Sequence, residues 1–207
     1  MVALDVACGA AHAAEAAAPH VRQMVGIDLT PSLLDLGAQR LRDAGITNVL
    51  LQEANAESLP FVDGSFDLVF CRSSLHHFAD AHRAVAEMLR TCRPGGRVVL
   101  ADLIAPSAEE RDAFDHLHRL IDPSHVRSFV ENELVALLAG LTLTHGETLP
   151  IRLPIDVALT EQSDRDTVLA ALRDDVAGRR STGFDPAEED GTFVVSFTTC
   201  IVHGTHD

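Results

Sequence analysis

Short apolar runs fall at about residues 2–7, 22–28, 48–53, 66–71 and 96–103, and the stretches between them carry helical periodicity. Runs of this length, bounded by glycine, proline and polar residues, predict strands. Their alternation with helices predicts an α/β protein with a doubly wound, mostly parallel sheet and right-handed crossovers. Ala10 to Ala18 is almost all alanine with Glu15, strong helix formers that Pro19 ends. Thr30 as N-cap and Pro31 at the first helical position open a helix that carries Leu33, Leu34, Leu36 and Leu41 before Gly45 stops it. Capping boxes at Ser107–Glu110 and Ser128–Glu131 each start a helix. The first helix carries Phe114, Leu117, Leu120 and Ile121; the second carries Leu134, Leu137 and Leu138 up to Gly140. Leu141 to Leu149 and Thr192 to Val202 read as two more strands. The polar insert 150–190 between them has one amphipathic helix after Ser163-Asp164-Arg165-Asp166.

The first strand runs into a small-residue turn, Leu4-Asp5-Val6-Ala7-Cys8-Gly9-Ala10-Ala11-His12. At the carboxyl end of a parallel strand such a turn lets a nucleotide-like ligand approach the backbone and the following helix N-terminus, which large side chains would block. Gly9 is its one glycine; Ala7 and Ala11 stand where glycine-rich loops place two more. Asp28, at the end of the second strand and roughly 20 residues on, stands where such sheets put a carboxylate for two ribose hydroxyls.

With 207 residues and 46% hydrophobic content, the chain can bury a full core as one domain, residues 1–207. Its formal net charge of −15 opposes phosphate backbones and anionic membranes, which leaves small molecules or proteins as partners. Cys8, Cys71, Cys92 and Cys200 have no C-x-x-C spacing, which argues against a zinc site and for a reducing compartment. No export signal or membrane-spanning run is evident, so the cytoplasm is the expected location and membrane insertion is not expected.

Asn55-Ala56-Glu57-Ser58-Leu59-Pro60-Phe61 is followed by Gly64-Ser65-Phe66-Asp67-Leu68-Val69, then Arg72-Ser73-Ser74-Leu75-His76-His77-Phe78, Glu87-Met88-Leu89-Arg90, Arg93-Pro94-Gly95-Gly96-Arg97 and Val98-Val99-Leu100-Ala101-Asp102. In this unbroken order, over about the first half of the chain, the sequence resembles class I S-adenosylmethionine (SAM) methyltransferases. Asp122-Pro123-Ser124-His125-Val126-Arg127 is similar to a segment of a bacterial subgroup near the small-molecule and quinone C-methyltransferases. The resemblance implies a Rossmann-like, seven-stranded sheet with an antiparallel last strand, residues 150–190 as a substrate lid, and methyl transfer from SAM to a small molecule with S-adenosylhomocysteine as product. It implies a donor pocket of Asp5, Ala7, Gly9, Asp28, Leu29, Asn55, Ala56, Glu57 and Arg72. Asn55 replaces the usual aspartate, and its amide oxygen can still accept from the adenine amino group. Glu57 either meets the adenine edge or faces solvent; Arg72 meets the SAM carboxylate or an acidic neighbour.

Acceptor chemistry points to His76 and His77 after the fourth strand, since imidazole is the neutral side chain able to take a proton near pH 7. Asp102 could orient one of them, and His125, aimed by an Asx turn at Asp122, is a second candidate. Packing and capping roles explain the same residues. His76, His77, Asp80 and His82 imitate a metal cluster, but Asp80 fits an N-cap and no metal is expected. The family's helical segment before the first strand has no counterpart ahead of Met1, so the pocket is expected to be more open, or closed by the insert or by a second subunit of a homodimer. Ala7, Ala11 and Asn55 motivate the alternatives: a family fold that has turned to cyclisation or isomerisation, or a non-catalytic binding subunit.

Overall fold

The computed structural model describes residues 1–206. In chain order the elements are β1 (Val2–Val6), α1 (His12–Ala17), β2 (Gln23–Asp28), α2 (Pro31–Asp43), β3 (Val49–Glu53), β4 (Phe66–Arg72), α3 (Ala81–Thr91), β5 (Cys92–Ile104), α4 (Arg111–Ile121), α5 (Glu131–Ala136), β6 (Thr142–Pro154), α6 (Ile155–Ala158), α7 (Arg165–Val176), β7 (Ala187–Glu189) and β8 (Thr192–Thr205). The sheet order is β3-β2-β1-β4-β5-β8-β6, with the short β7 paired antiparallel to β8 as an eighth strand. From β3 to β5 every pairing is parallel, and the C-terminal strand is antiparallel. The chain therefore has the expected mixed α/β, mainly parallel Rossmann-like sheet. β1 is third in this order with β2 and β4 on its flanks, and the order reverses there, so a crevice forms at its carboxyl end.

The chain forms two compact units. The first takes Met1–Asp102, Val135–Gly146 and the end of the chain from Ile201; the second takes Leu103–Leu134 and Glu147–Cys200. In the first, Ala3, Ala11, Ala14, Met24 and Leu41 form a buried cluster in which the three residues from β1 to α1 are small. Close approach of α2 explains that smallness: a Cβ at Gly37 would lie 3.0 Å from the Ala11 Cβ and from Leu51 Cδ1. The leucines expected on α2 divide between its faces. Leu33 and Leu36 are exposed, whereas Leu41 is buried and the helix packs through it and Gly37. Thr30 is the N-cap residue and makes no side-chain cap bond among the described residues; its N–H donates to Asp28 Oδ1 at 2.9 Å.

In the second unit Phe114, Leu117, Ile121, Val168, Leu172 and Phe184 pack a separate core, with Phe114 stacked on Phe184 at 4.3 Å. The Ser107 hydroxyl accepts the Glu110 N–H at 3.1 Å as the first capping box predicts, with α4 beginning one residue later. The second box forms differently. Ser128 gives its N–H to Asp115 Oδ1 at 2.9 Å, and Glu133, not Glu131, accepts a backbone N–H near the start of α5, that of Val130 at 3.2 Å. The insert 150–190 contains α6, α7 and β7, and Asp164 caps α7 by accepting the Thr167 N–H at 3.2 Å.

Candidate functional site

The turn after β1 has an uncommon backbone. Ala7 (φ 57°), Gly9 (φ 52°) and Ala11 (φ 61°) all lie in the left-handed region, where an L-residue's Cβ crowds the following carbonyl. A left-handed alanine costs about 1–2 kcal/mol, offset by the roughly 0.5–1 kcal/mol that a glycine loses in chain entropy. Ala11 is fully buried, so its methyl contributes about 0.8 kcal/mol that glycine would lose, whereas Ala7 is only half-buried. Ala7→Gly is therefore expected to raise stability by about 0.5 kcal/mol and Ala11→Gly to leave it near neutral, read from urea midpoints at unchanged m-value. A destabilised Ala7→Gly chain would contradict the turn described here.

Two carboxylates converge on that turn. Asp28 Oδ2 accepts the Gly9 N–H and Oδ1 the Thr30 N–H, both at 2.9 Å. Since an ionised carboxylate offers about four lone-pair sites, each oxygen keeps one for another donor. Asp5 is only 1% exposed, and neither of its oxygens has a hydrogen-bond partner among the described residues. Burial pushes its carboxyl up from 3.8 to about 7; the Arg72 guanidinium pulls it down, the Asp28 carboxylate pushes it further up, and the Ala14 N–H lowers it. A buried polar group without a partner is costly, and such exceptions ask for a ligand. Arg72 also borders an apolar groove of about 590 Å³, which includes His12, Phe70, Val99 and Ala101 in its walls.

The other expected donor residues lie at the ends of β2 and β3. Leu29 is 62% exposed, an apolar surface open to a flat ring. Asn55 Oδ1 accepts the Glu57 N–H at 2.8 Å in an Asx turn, and Ala56 is buried behind it. Glu57 anchors its loop. Its Oε1 accepts the Asp80 N–H at 2.9 Å and its carbonyl accepts from Arg83 Nε at 2.8 Å, which ties this loop to the start of α3. Asp80 is the N-cap of α3, as the sequence suggests, through Oδ1 and the Arg83 N–H.

The segment after β4 brings His76 and Asp102 together. The His76 Nδ1 and Asp102 Oδ1 are 2.6 Å apart, and Asp102 Oδ2 accepts the His76 backbone N–H at 3.2 Å. Both side chains are buried, and the half-buried His77 ring lies 4.0 Å from that of His76. Ser73, left-handed at φ 53°, makes the turn, and Ser74 Oγ donates to the Ala7 carbonyl at 3.3 Å, joining this segment to the β1 turn. Sequence reasoning missed both serines, whose signal is only a Ser-Ser pair ahead of the histidines. In the second unit the Asx turn forms as expected, with Asp122 Oδ1 accepting the Ser124 N–H at 2.9 Å. His125 is buried with Nε2 2.8 Å from Asp115 Oδ1, and its ring stacks on His118 at 4.1 Å. Burial opposes the charge on Asp115, but bonds from His125 and Ser128 outweigh it and hold the carboxyl below its usual range. Asp115 was also missed; its signal is a carboxylate within the apolar stripe of α4. Arg127 pairs with Glu133 at 2.8 Å, a partner on the protein.

Residues 4–100 match the family model described as a methyltransferase domain. The chain is 39% identical over 153 residues to the uncharacterized methyltransferase YcgJ of Bacillus subtilis, an alignment covering 73% of this chain and 60% of that protein. The crystal structure of YcgJ superimposes with a TM-score of 0.87 at 30% identity, over 99% of this chain and 91% of that one. This chain belongs to the class I methyltransferase family. Two other members are similar to it. The structure of BH2331 from Bacillus halodurans C-125 gives a TM-score of 0.88 at 26% identity, covering 99% of this chain and 92% of that one. The ubiquinone/menaquinone biosynthesis C-methyltransferase UbiE of Psychromonas ingrahamii is 39% identical over 93 residues, 44% of this chain and 37% of that protein. The residues of this methyltransferase turn fit the family's donor, because the buried, unpartnered Asp5 carboxylate suits a cationic amino acid end and Asp28 retains acceptor capacity for a ribose. Among the described residues no helix is long and apolar enough to cross a membrane.

Proposed function

We propose that this methyltransferase moves the methyl group of SAM to a small-molecule acceptor. The observation that carries the reading is Asp5: a carboxylate buried without a partner beneath the β1 turn is unfavourable until a cation reaches it. When bound, SAM supplies a methyl carbon made electrophilic by its sulfonium sulfur. Asp5 then receives the ammonium of the methionine end, and Arg72 stands beside it for the carboxylate. Asp28 accepts from the ribose hydroxyls while keeping the Gly9 and Thr30 N–H groups. Asn55 keeps a lone pair on Oδ1 for the adenine amino group, and Leu29 and Ala56 offer apolar surface to the ring. Catalysis of an in-line displacement rests largely on such positioning.

A small organic acceptor is supported by the charge of −15, which disfavours nucleic acid, and by the similarity to UbiE, a ubiquinone/menaquinone biosynthesis C-methyltransferase. The test is turnover with methyl-labelled SAM and a deproteinised cell extract as acceptor pool. Label in the low-mass organic fraction supports the reading. Bound SAM with no label transferred to any fraction would favour the non-methylating alternative.

A further inference from the structure

We propose that Glu57 and Arg83 are positioning residues that lock the Asn55 amide with its oxygen as the acceptor, so that the donor site selects a 6-aminopurine; this rests on the methyl-transfer reading. The residue type at position 55 makes such a lock necessary. An aspartate presents an acceptor whichever oxygen faces the purine, whereas an asparagine amide turned by half a revolution presents a donor. Turned that way, it would repel an amino group at the purine 6-position and pair with an oxo group instead. Asn55 is exposed, so packing does not decide between the two orientations.

One hydrogen bond decides it. Asn55 Oδ1 accepts the Glu57 N–H at 2.8 Å, and a turned amide would set its NH₂ against that N–H, donor against donor. The bond is only as firm as Glu57 itself, which α3 holds at two points. Its carbonyl accepts from Arg83 Nε at 2.8 Å and its Oε1 accepts the Asp80 N–H at 2.9 Å. Asp80 Oδ1 accepts the Arg83 N–H at 3.0 Å, which ties the two anchoring residues to each other. Residues 54–65 carry no helix or strand, so their backbone groups depend on partners from elsewhere. α3 supplies two more from the face that carries Arg83, since positions 83, 87 and 90 are four and three residues apart. Glu87 Oε2 accepts the Leu59 N–H at 2.8 Å, and Arg90 donates to the Leu59 carbonyl at 3.1 Å and the Phe61 carbonyl at 2.8 Å. The orientation of the Asn55 amide is thereby set from α3, through Glu57.

The experiment is calorimetric titration of the full chain with two probes, S-adenosylhomocysteine and S-inosylhomocysteine. The second carries an oxo group and a ring N–H in place of the amino group and the bare ring nitrogen. The wild type is expected to prefer the adenine probe by about 10-fold, the weight of one neutral hydrogen bond. Arg83→Ala and Glu57→Ala are each expected to cut that preference to about 3-fold or less. Glu57→Gln keeps an acceptor for the Asp80 N–H and is expected to restore it. Arg83 is exposed and Glu57 half-buried, so both alanine variants should keep the wild-type circular dichroism. The decisive comparison is Arg83→Ala placed in an Asn55→Asp background. A carboxylate has no donor end to turn inward, so there the preference is expected not to change. A fall as large in that background would show a tether that serves only the loop's folding, and overturns the lock. A preference untouched by both alanine variants overturns it as well. Failure of the folded wild type to bind either probe overturns the methyl-transfer reading and the lock together, whereas equal affinity for the two probes overturns the lock alone.

Discussion

Replacing Asp5 by Asn is expected to stabilise the ligand-free chain above pH 7 while weakening its hold on SAM. The Asp5 carboxyl is raised by burial from 3.8 to about 7, so the folded chain retains a proton that the unfolded chain releases. For an acid shifted in this direction, stability is undiminished below about pH 4, falls as pH rises toward 7 and stays low beyond it. At about 1.4 kcal/mol per pH unit the full loss is on the order of 4 kcal/mol. Asp5→Asn removes that loss, so the gap between variant and wild-type unfolding free energies should be small near pH 4.5 and widest near pH 8.5. The groups that face Asp5 are Arg72 on β4, Asp28 on β2 and the Ala14 N–H on α1, and the variant leaves them in place. Denaturant titrations across that pH range check the slope. Calorimetry in buffers of different ionisation enthalpy gives a second readout, because an arriving ammonium should expel roughly half a proton per site at pH 7. A parallel pH dependence for variant and wild type would show that Asp5 is neither isolated nor protonated.

The second large effect is expected at Asp28. Asp28→Ala deletes the acceptor of the Gly9 and Thr30 N–H groups, each 2.9 Å away, and removes the oxygens proposed for the ribose. Hydrogen bonds to a charged group contribute about 1.5–3 kcal/mol each, which at 1.4 kcal/mol per tenfold predicts a loss of SAM affinity of about 100-fold. The effect on folding should be smaller, about 1 kcal/mol, because Thr30 is exposed and water can replace one of the two bonds. Asp28→Asn, which keeps one acceptor oxygen, should fall between the two. Equal SAM affinity in wild type and Asp28→Ala would remove Asp28 from the donor site.

Much of this was legible because the signals are local. The strand, turn and acidic residue of Leu4–Gly9 and the second carboxylate at Asp28 depend on period and spacing, and both end up at the carboxyl ends of adjacent parallel strands. The pairing of His76 with Asp102 was suggested by two motif ends and is present at 2.6 Å. Long-range contacts were not legible. Glu57 lies in a motif associated with adenine, yet the proximity of α3 turns it to the Asp80 N–H. The leucines of α2 mark a helix without telling which of its faces is buried: close packing at Gly37 leaves Leu33 and Leu36 outside while Leu41 is buried. The second capping box shifted from Ser128 because Asp115, thirteen residues earlier, takes the Ser128 N–H. Such a bond is decided by how α4 folds back on the following loop, which no local pattern encodes.

The most direct test of the central claim is calorimetric titration of the chain with SAM and with S-adenosylhomocysteine, since the absence of Trp and Tyr leaves no strong intrinsic fluorophore to report binding. The predicted result is a single site of micromolar affinity, about 8 kcal/mol, that is weakened in Asp5→Asn and Asp28→Ala. No heat from either ligand, with a chain shown by circular dichroism to be folded, would contradict the account.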